Sequence, residues 1–385
     1  MRNYFLLALV LVLLSSCSSK IKKGQESNLL SELDVQYEYF AEQTDVPEKV
    51  ARSFSAENGY RWASIKDWTC GFPPGSMWLM YELTGDEKWK NNAAKFTAKL
   101  EGVQFRTTTH DLGFMVYCSF GNGFLLTGEE KYKKAIIDGS NSLITRFNEK
   151  TSCIKSWDHG DWQFPVIIDN MMNLEMLLKA SELTGDPKYK EVAIAHTNTT
   201  IENHFRENMS SYHVIDYDTI TGKVINKQTH QGLNDESSWG RGQAWGLYGF
   251  TVMYRGTGDS KYLDVATKIA DFIIPNLPED KVSYWDFDDP QIPNTYRDVS
   301  AAAITASALL ELGGKEMANN ESYIEIANQI IESLNSDKYR AKTGTNGGFL
   351  LMHSVGHMPK NSEIDVPINY ADYYYLEALK RQGNF

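Results

Sequence analysis

The chain has 385 residues, 42% of them hydrophobic and 23% charged, the composition of an ordered globular protein with a large core and not of a disordered one. Acidic residues outnumber basic ones by 50 to 38, for a net charge of −12, and no basic run interrupts the sequence. Such a surface repels a polyanionic backbone, which excludes nucleic acid as a partner.

The N-terminus, MRNYFLLALVLVLLSSC, carries one arginine, an apolar stretch too short to span a bilayer, and small residues before Cys17. Leu14-Ser15-Ser16-Cys17 resembles a bacterial lipobox. That implies cleavage before Cys17 and a lipid on it, which would anchor the protein to a membrane of the bacterial cell envelope, expected to be the outer one. Residues 1–17 are thus predicted to be a lipoprotein signal peptide, 18–28 a polar tether and 29–385 one folded domain. Cys70, Cys118 and Cys153 are scattered without C-x-x-C spacing, so neither a disulfide framework nor a zinc site is indicated.

Along the remainder one unit recurs. ELTGDEKWKNNAAKF (82–96), LLTGEEKYKKAIIDG (125–139), ELTGDPKYKEVAIAH (182–196) and RGTGDSKYLDVATKI (255–269) share one pattern, and LGGKEMANNESYIEIA (312–327) is a degenerate fifth copy. Each reads as a helix closed by a glycine that accepts the left-handed conformation, an acidic turn, and a second helix opening on lysine and an aromatic. Gly85, Gly128, Gly185, Gly258 and Gly314 recur at intervals of roughly 57 residues, which leaves room for about six helical hairpins from Leu29 to Phe385. The tetratricopeptide period of about 34 does not match. A closed ring, an all-α (α/α)6 barrel, needs no polar capping repeat and is the expected fold, with an open solenoid as the alternative. Only a few stretches, such as SYHVIDYD (211–218), are expected to be extended or irregular.

In such a ring the loops at one end of the inner helices form a concave mouth, where polar and aromatic residues stand out against core packing. TTTHDLGFMVYC (107–118) sets His110 and Asp111 before an apolar helix, and SSWGRGQAWGLYGF (237–250) sets Arg241 between Trp239 and Trp245. After Pro165, FPVIIDNMMN (164–173) is predicted to be a helix interior in which Asp169 and Asn173 share a face with Met172 and Met176. A carboxylate there is desolvated, so its pKa should rise, and further so with Asp111 nearby. The adjacent helix N-terminus acts the other way. On the residues alone, each aspartate also reads as a helix cap and the tryptophan pair as core packing. His353 and His357 stand four apart, but Gly356 and Pro359 make a loop of that segment, and no metal or other cofactor is implied.

Six motifs, HDLGF (110–114), IIDNMMN (167–173), HQG (230–232), SSWGRGQAWGLYGF, GGFLLMHSVGH (347–357) and YADYYYLEAL (370–379), are similar in their order to those of unsaturated glucuronyl hydrolases, glycoside hydrolase family 88. The resemblance implies a six-hairpin barrel that removes a 4,5-unsaturated uronic acid from the non-reducing end of oligosaccharides left by polysaccharide lyases, those of glycosaminoglycans among them. It implies Asp169 as general acid and base, with Asp111 as its partner. It also implies that His213, Gln231, Trp239, Arg241 and Trp245 form the sugar and carboxylate subsite, and that Trp68, His110 and either Trp157 or Trp162 complete its wall. Tryptophan faces suit a flat sugar, and an arginine can pair bidentately with the uronate. His353 resembles a further site residue, in a loop-like segment (352–374) whose Lys360, Asn361 and Ser362 offer donors to an anionic substituent. The implied partner is an unsaturated oligosaccharide, and the oligomeric state is not indicated. Three alternatives stand beside this reading: an unsaturated rhamnogalacturonyl hydrolase, a barrel glycosidase cleaving at C1 with the same two aspartates, and a helical-repeat lipoprotein that binds glycans without cutting them.

Overall fold

The structure, a computed structural model, describes residues 28–383. The segments expected to be a signal peptide and tether, Cys17 included, lie outside the described residues up to residue 27. Helix α1 spans 28–44, followed by α2 (Phe72–Thr84) and α3 (Glu87–Ala98). Helix α4 begins as a π-helix, Gly113–Gly121, and continues as the α-helix Asn122–Thr127. Then come α5 (Glu130–Ile144), α6 (Leu174–Thr184), α7 (Lys188–Asn203), α8 (Gly240–Thr257), α9 (Ser260–Asn276), α10 (Val299–Leu312), α11 (Glu321–Leu334) and α12 (Asn369–Gln382).

The even-numbered helices form an inner ring, each packed on the next, and α12 returns onto α2 to close it. Helices α8, α10 and α12 are buried on nearly every side, as the inner layer of a double ring must be. The odd-numbered helices carry a single apolar stripe, seen in Tyr323, Ala327, Ile330, Ile331 and Leu334 of α11. The chain ends make the sixth hairpin, because α1 takes an outer place with Tyr37 against Trp89 of α3 and Phe40 against Phe349. The (α/α)6 barrel expected from the repeats is therefore the observed fold.

Gly85, Gly128, Gly185 and Gly258 cap the inner helices with φ between 68° and 72°, where a side chain would be strained. Asp86, Asp186 and Asp259 then accept the N–H of Lys88, Lys188 and Lys261 to open the outer helices. The fifth turn departs from expectation. Gly313 caps α10 at φ −72° and Gly314 has no positive φ, because a longer loop follows, in which Asn319 turns left-handed at 48° and Asn320 caps α11.

Strands are more numerous than the sequence suggested. Hairpins β1 (Lys49–Ser55) with β2 (Gly59–Ser64), β3 (Phe147–Asn148) with β4 (Cys153–Ile154), and β8 (Ser354–His357) with β9 (Ser362–Val366) accompany a three-stranded sheet of β5 (Pro165–Ile167), β6 (Val214–Tyr217) and β7 (Val224–Gln228). The segment after Pro165 is thus not a helix interior. It is a buried strand and then a 3-10 turn, Ile168–Asn173, because Pro165 lacks an N–H and Val166 and Ile167 are β-branched residues suited to pairing with β6. Likewise 352–374 is not a loop but the β8–β9 hairpin followed by the start of α12. These sheets lie with the N-termini of the inner helices, and the glycine turns lie at the opposite end.

Candidate active site

A cleft of about 380 Å³ opens at the N-terminal end of the inner ring. Trp68, His110, Asp111, Trp157, Asp169 and Gln231 line it, together with Arg52, Lys66, Arg106, Thr109, His159, His230 and His357, which sequence reasoning did not single out for the site.

The β5–β6–β7 sheet builds its centre. Asp169 follows β5, His213 precedes β6 and Gln231 follows β7, so the register that pairs Ile167 with Val214 sets Asp169 beside His213. The bond from Ile168 N–H to the His213 carbonyl, 3.1 Å, extends that register. His213 Nδ1 accepts the backbone N–H groups of His230 (3.1 Å) and Gln231 (3.0 Å). Two donors on Nδ1 force the neutral tautomer to carry its proton on Nε2, and burial, reinforced by His230, holds the ring neutral. That Nε2–H stands 3.6 Å from Asp169 Oδ2. Both atoms are buried and neither has a hydrogen-bond partner among the described residues.

The two aspartates are driven apart in acidity. Burial raises the Asp169 pKa from 3.8 to about 6; His110 and Arg241 oppose the rise and Asp111 adds to it. Burial would raise Asp111 too, but His110 Nε2 at 3.2 Å, the Thr109 hydroxyl and Arg106 together hold it below the ordinary carboxylate range. One carboxyl group is thus available as an acid near neutrality while its neighbour stays ionised.

The polar residues around Asp169 fix this arrangement. Asn170 Nδ2 donates to the Ile154 carbonyl (2.8 Å), and Asn173 Oδ1 accepts the Phe114 N–H (3.1 Å) at the start of α4. A Cβ on Gly113 would come within 2.5 Å of Asn173 Cα, so only glycine lets the turn bearing Asp111 close on the turn bearing Asp169.

Four expectations are corrected. Trp245 is no sugar platform, because it is fully buried between Phe114 and Tyr374. Trp239 is 3% exposed and packs between the His213 ring and the Arg241 guanidinium, each at 4.6 Å, so it supports the site from behind. The glycines around them serve close packing: a Cβ on Gly249 would meet Met171 Cβ at 2.4 Å. Arg241 is not a free fork. Its Nη1 donates to Asp298 and to the Val355 carbonyl, and its Nη2 to the Gly356 carbonyl, leaving Nε–H and one Nη2 hydrogen. His353 lies outside the cleft, with Nδ1 2.6 Å from Asp365 at the far end of β8.

Between the two tryptophans left open, Trp157 lines the cleft and its Nε1–H has no partner among the described residues. Trp162 stands edge-on behind it and donates to Gln228 (2.7 Å). Gln231 Nε2 donates to the Gly356 carbonyl (3.1 Å). In the β8–β9 hairpin, Lys360 Nζ lies 3.3 Å from His230 Nε2, while Ser362 is turned away to accept Arg61 (2.6 Å). His230 and His357 lie within the HQG and GGFLLMHSVGH motifs, so motif position was their signal. Arg52 of β1, Lys66 in the turn after β2 and Arg106 in the connection after α3 carried none.

Residues 40–385 match the family model described as Glycosyl Hydrolase Family 88. An unsaturated glucuronyl hydrolase from Formosa agariphila is 50% identical over 324 residues, covering 83% of this chain and 80% of that protein. The crystal structure of an unsaturated glucuronyl hydrolase specific for heparin aligns with a TM-score of 0.90 at 48% identity, covering 93% of this chain and 96% of its own. A variant of the Streptococcus agalactiae unsaturated glucuronyl hydrolase, solved in complex with dGlcA-GalNAc6S, aligns with a TM-score of 0.79 at 29% identity over 93% and 91% of the two chains.

Proposed function

The chain belongs to glycosyl hydrolase family 88, and we propose that it releases a 4,5-unsaturated glucuronic acid from the non-reducing end of glycosaminoglycan-type oligosaccharides by hydrating the C4=C5 vinyl ether. The observation that carries this reading is the buried, unpartnered Asp169 oxygen, raised to a pKa of about 6 and facing the Nε2–H of a neutral His213.

Protonated Asp169 delivers its proton to C4, and the ring oxygen stabilises the cation that forms at C5. Asp111, held ionised, stabilises that positive charge. The Asp169 carboxylate then takes a proton from the water that attacks C5, with the His213 Nε2–H positioned to orient it. The product is a hemiketal, which opens by breaking the C5–O5 bond. The hemiacetal left at C1 expels the leaving sugar. A single carboxyl group serves both proton transfers and is restored at the end, so no group displaces the aglycone at C1.

Trp68 and Trp157 supply apolar wall to the sugar site, and Arg241, buried behind it, keeps two N–H groups outside its own hydrogen bonds with which to meet the uronate carboxylate. Asp169→Asn keeps the shape but cannot move a proton, so kcat should fall by about 10²-fold or more with substrate binding retained. Retention of more than about a tenth of native kcat would remove Asp169 from this role. The lipid anchor on Cys17 and the placement in the bacterial outer membrane belong to the same proposal. They rest on the lipobox-like segment alone, and Cys17→Ser should shift the protein from the membrane to the soluble fraction of its host.

A further inference from the structure

Nine of the ten arginines among the described residues form an ion pair with a carboxylate; the exception is Arg106. In a protein of net charge −12, an arginine without a carboxylate partner is conspicuous, and this one lines the edge of the cleft. Its own contacts hold it there: Nη1 donates to the Lys66 carbonyl and Nη2 to the Thr108 hydroxyl (3.3 Å). Lys66 lies on the same edge and also makes no ion pair among the described residues. The neighbouring carboxylates are engaged elsewhere, Asp67 with Arg52 and Asp111 with His110 and Thr109.

We propose that Arg106 and Lys66, with the Thr108 hydroxyl, form an anion subsite that takes a sulfate of the bound oligosaccharide and sets the preference of the enzyme among sulfated substrates. A guanidinium fixed on two of its donors presents the rest in a planar array that matches an oxyanion, and the lysine adds a mobile charge beside it. On a glycosaminoglycan disaccharide the anions other than the uronate carboxylate are sulfate esters and sulfamates. The sulfate comes from the unsaturated uronate or from the leaving sugar, which share the same chemistry.

The inference rests on the proposed hydration of unsaturated disaccharides, and one panel separates the two. Lyase-generated disaccharides bearing no sulfate, a sulfate on the uronate, or a sulfate on the amino sugar are assayed with wild type, Lys66→Gln, Arg106→Gln and Arg106→Lys. Lys66 is exposed, so its substitution carries little risk to folding. In both glutamine variants the ratio of kcat/KM on one sulfated substrate to that on the unsulfated one should fall by about tenfold, with Arg106→Lys recovering part of the loss. The arm that responds identifies the sugar bearing the sulfate. A ratio unchanged on both sulfated arms overturns the subsite. So does an equal loss on all three substrates, with or without a displaced acid limb of the pH profile, since that would mean Arg106 acts through Asp111 or the fold. Failure of wild type on every disaccharide would instead refute the hydrolase reading and this inference with it.

Discussion

Asp169 shows what a buried acid costs the fold. Its displacement from 3.8 to about 6 corresponds to about 3 kcal/mol of stability lost once the group is ionised in the folded state. The sign follows from a folded pKa above the unfolded one: the penalty is absent below pH 4 and complete above about pH 6. Asp169→Asn should therefore raise Tm at pH 8 and leave it nearly unchanged at pH 4, as thermal melts would show. Equal shifts at both values would mean that ionisation is not the cause. By the same logic wild-type kcat/KM should fall as pH rises through about 6, where the acid form is lost. At this scale the sequence was only partly informative. Asp169, Asp111 and His110 could be found because polar residues on apolar segments are conspicuous. Trp239 and Trp245 misled because a tryptophan in a glycine-rich inner helix reads the same whether it faces the lumen or a neighbouring helix.

The elements that shape the mouth are held by a few ionic contacts. Glu363 of β9 is nearly buried and accepts from Arg52 (3.0 Å), Ser53 (2.7 Å) and Arg61 (3.1 Å), joining the β8–β9 hairpin to the β1–β2 hairpin. Arg52 lies over the face of Trp68, its guanidinium 5.5 Å from the ring, so the contact also positions a cleft wall. Glu363→Ala leaves Arg52 with Asp67 alone and should destabilise the fold by about 3 kcal/mol. KM for a disaccharide should rise by about fivefold, more than kcat changes. Unaltered chemical denaturation and unaltered KM would show that the hairpins do not depend on this link. The glycine turns were legible in advance because the chemistry of a left-handed cap is local. The strands were not, because they are two to seven residues long and pair with partners far away in sequence, β5 with β6 across the whole of α6 and α7.

Across the whole molecule, the barrel resolves the conflict between a net charge of −12 and an anionic substrate. The inner helices start at the mouth, so their positive dipole ends favour an anion there, and Arg52, Lys66 and Arg106 line the cleft. Away from the mouth, Glu175 of α6, Arg255 of α8, Glu311 of α10, and Arg381 and Glu377 of α12 form one ionic chain across four inner helices. Arg381→Ala should cost about 3 kcal/mol in urea unfolding. Because the chain lies away from the chemistry, kcat/KM should stay within about threefold of wild type. A larger loss of activity than of stability would tie the chain to catalysis. Ring closure was legible from the count of hairpins, whereas this chain was not, because its five charges are spread over four helices far apart in sequence. The central claim, hydration at C4=C5 and not cleavage at C1, is tested most directly with an unsaturated uronide joined to its aglycone through sulfur, which resists displacement at C1. Hydration should remove the ultraviolet absorbance of the conjugated double bond and release the thiol at a rate near that of the oxygen-linked substrate; an analogue that binds and is left intact would contradict it.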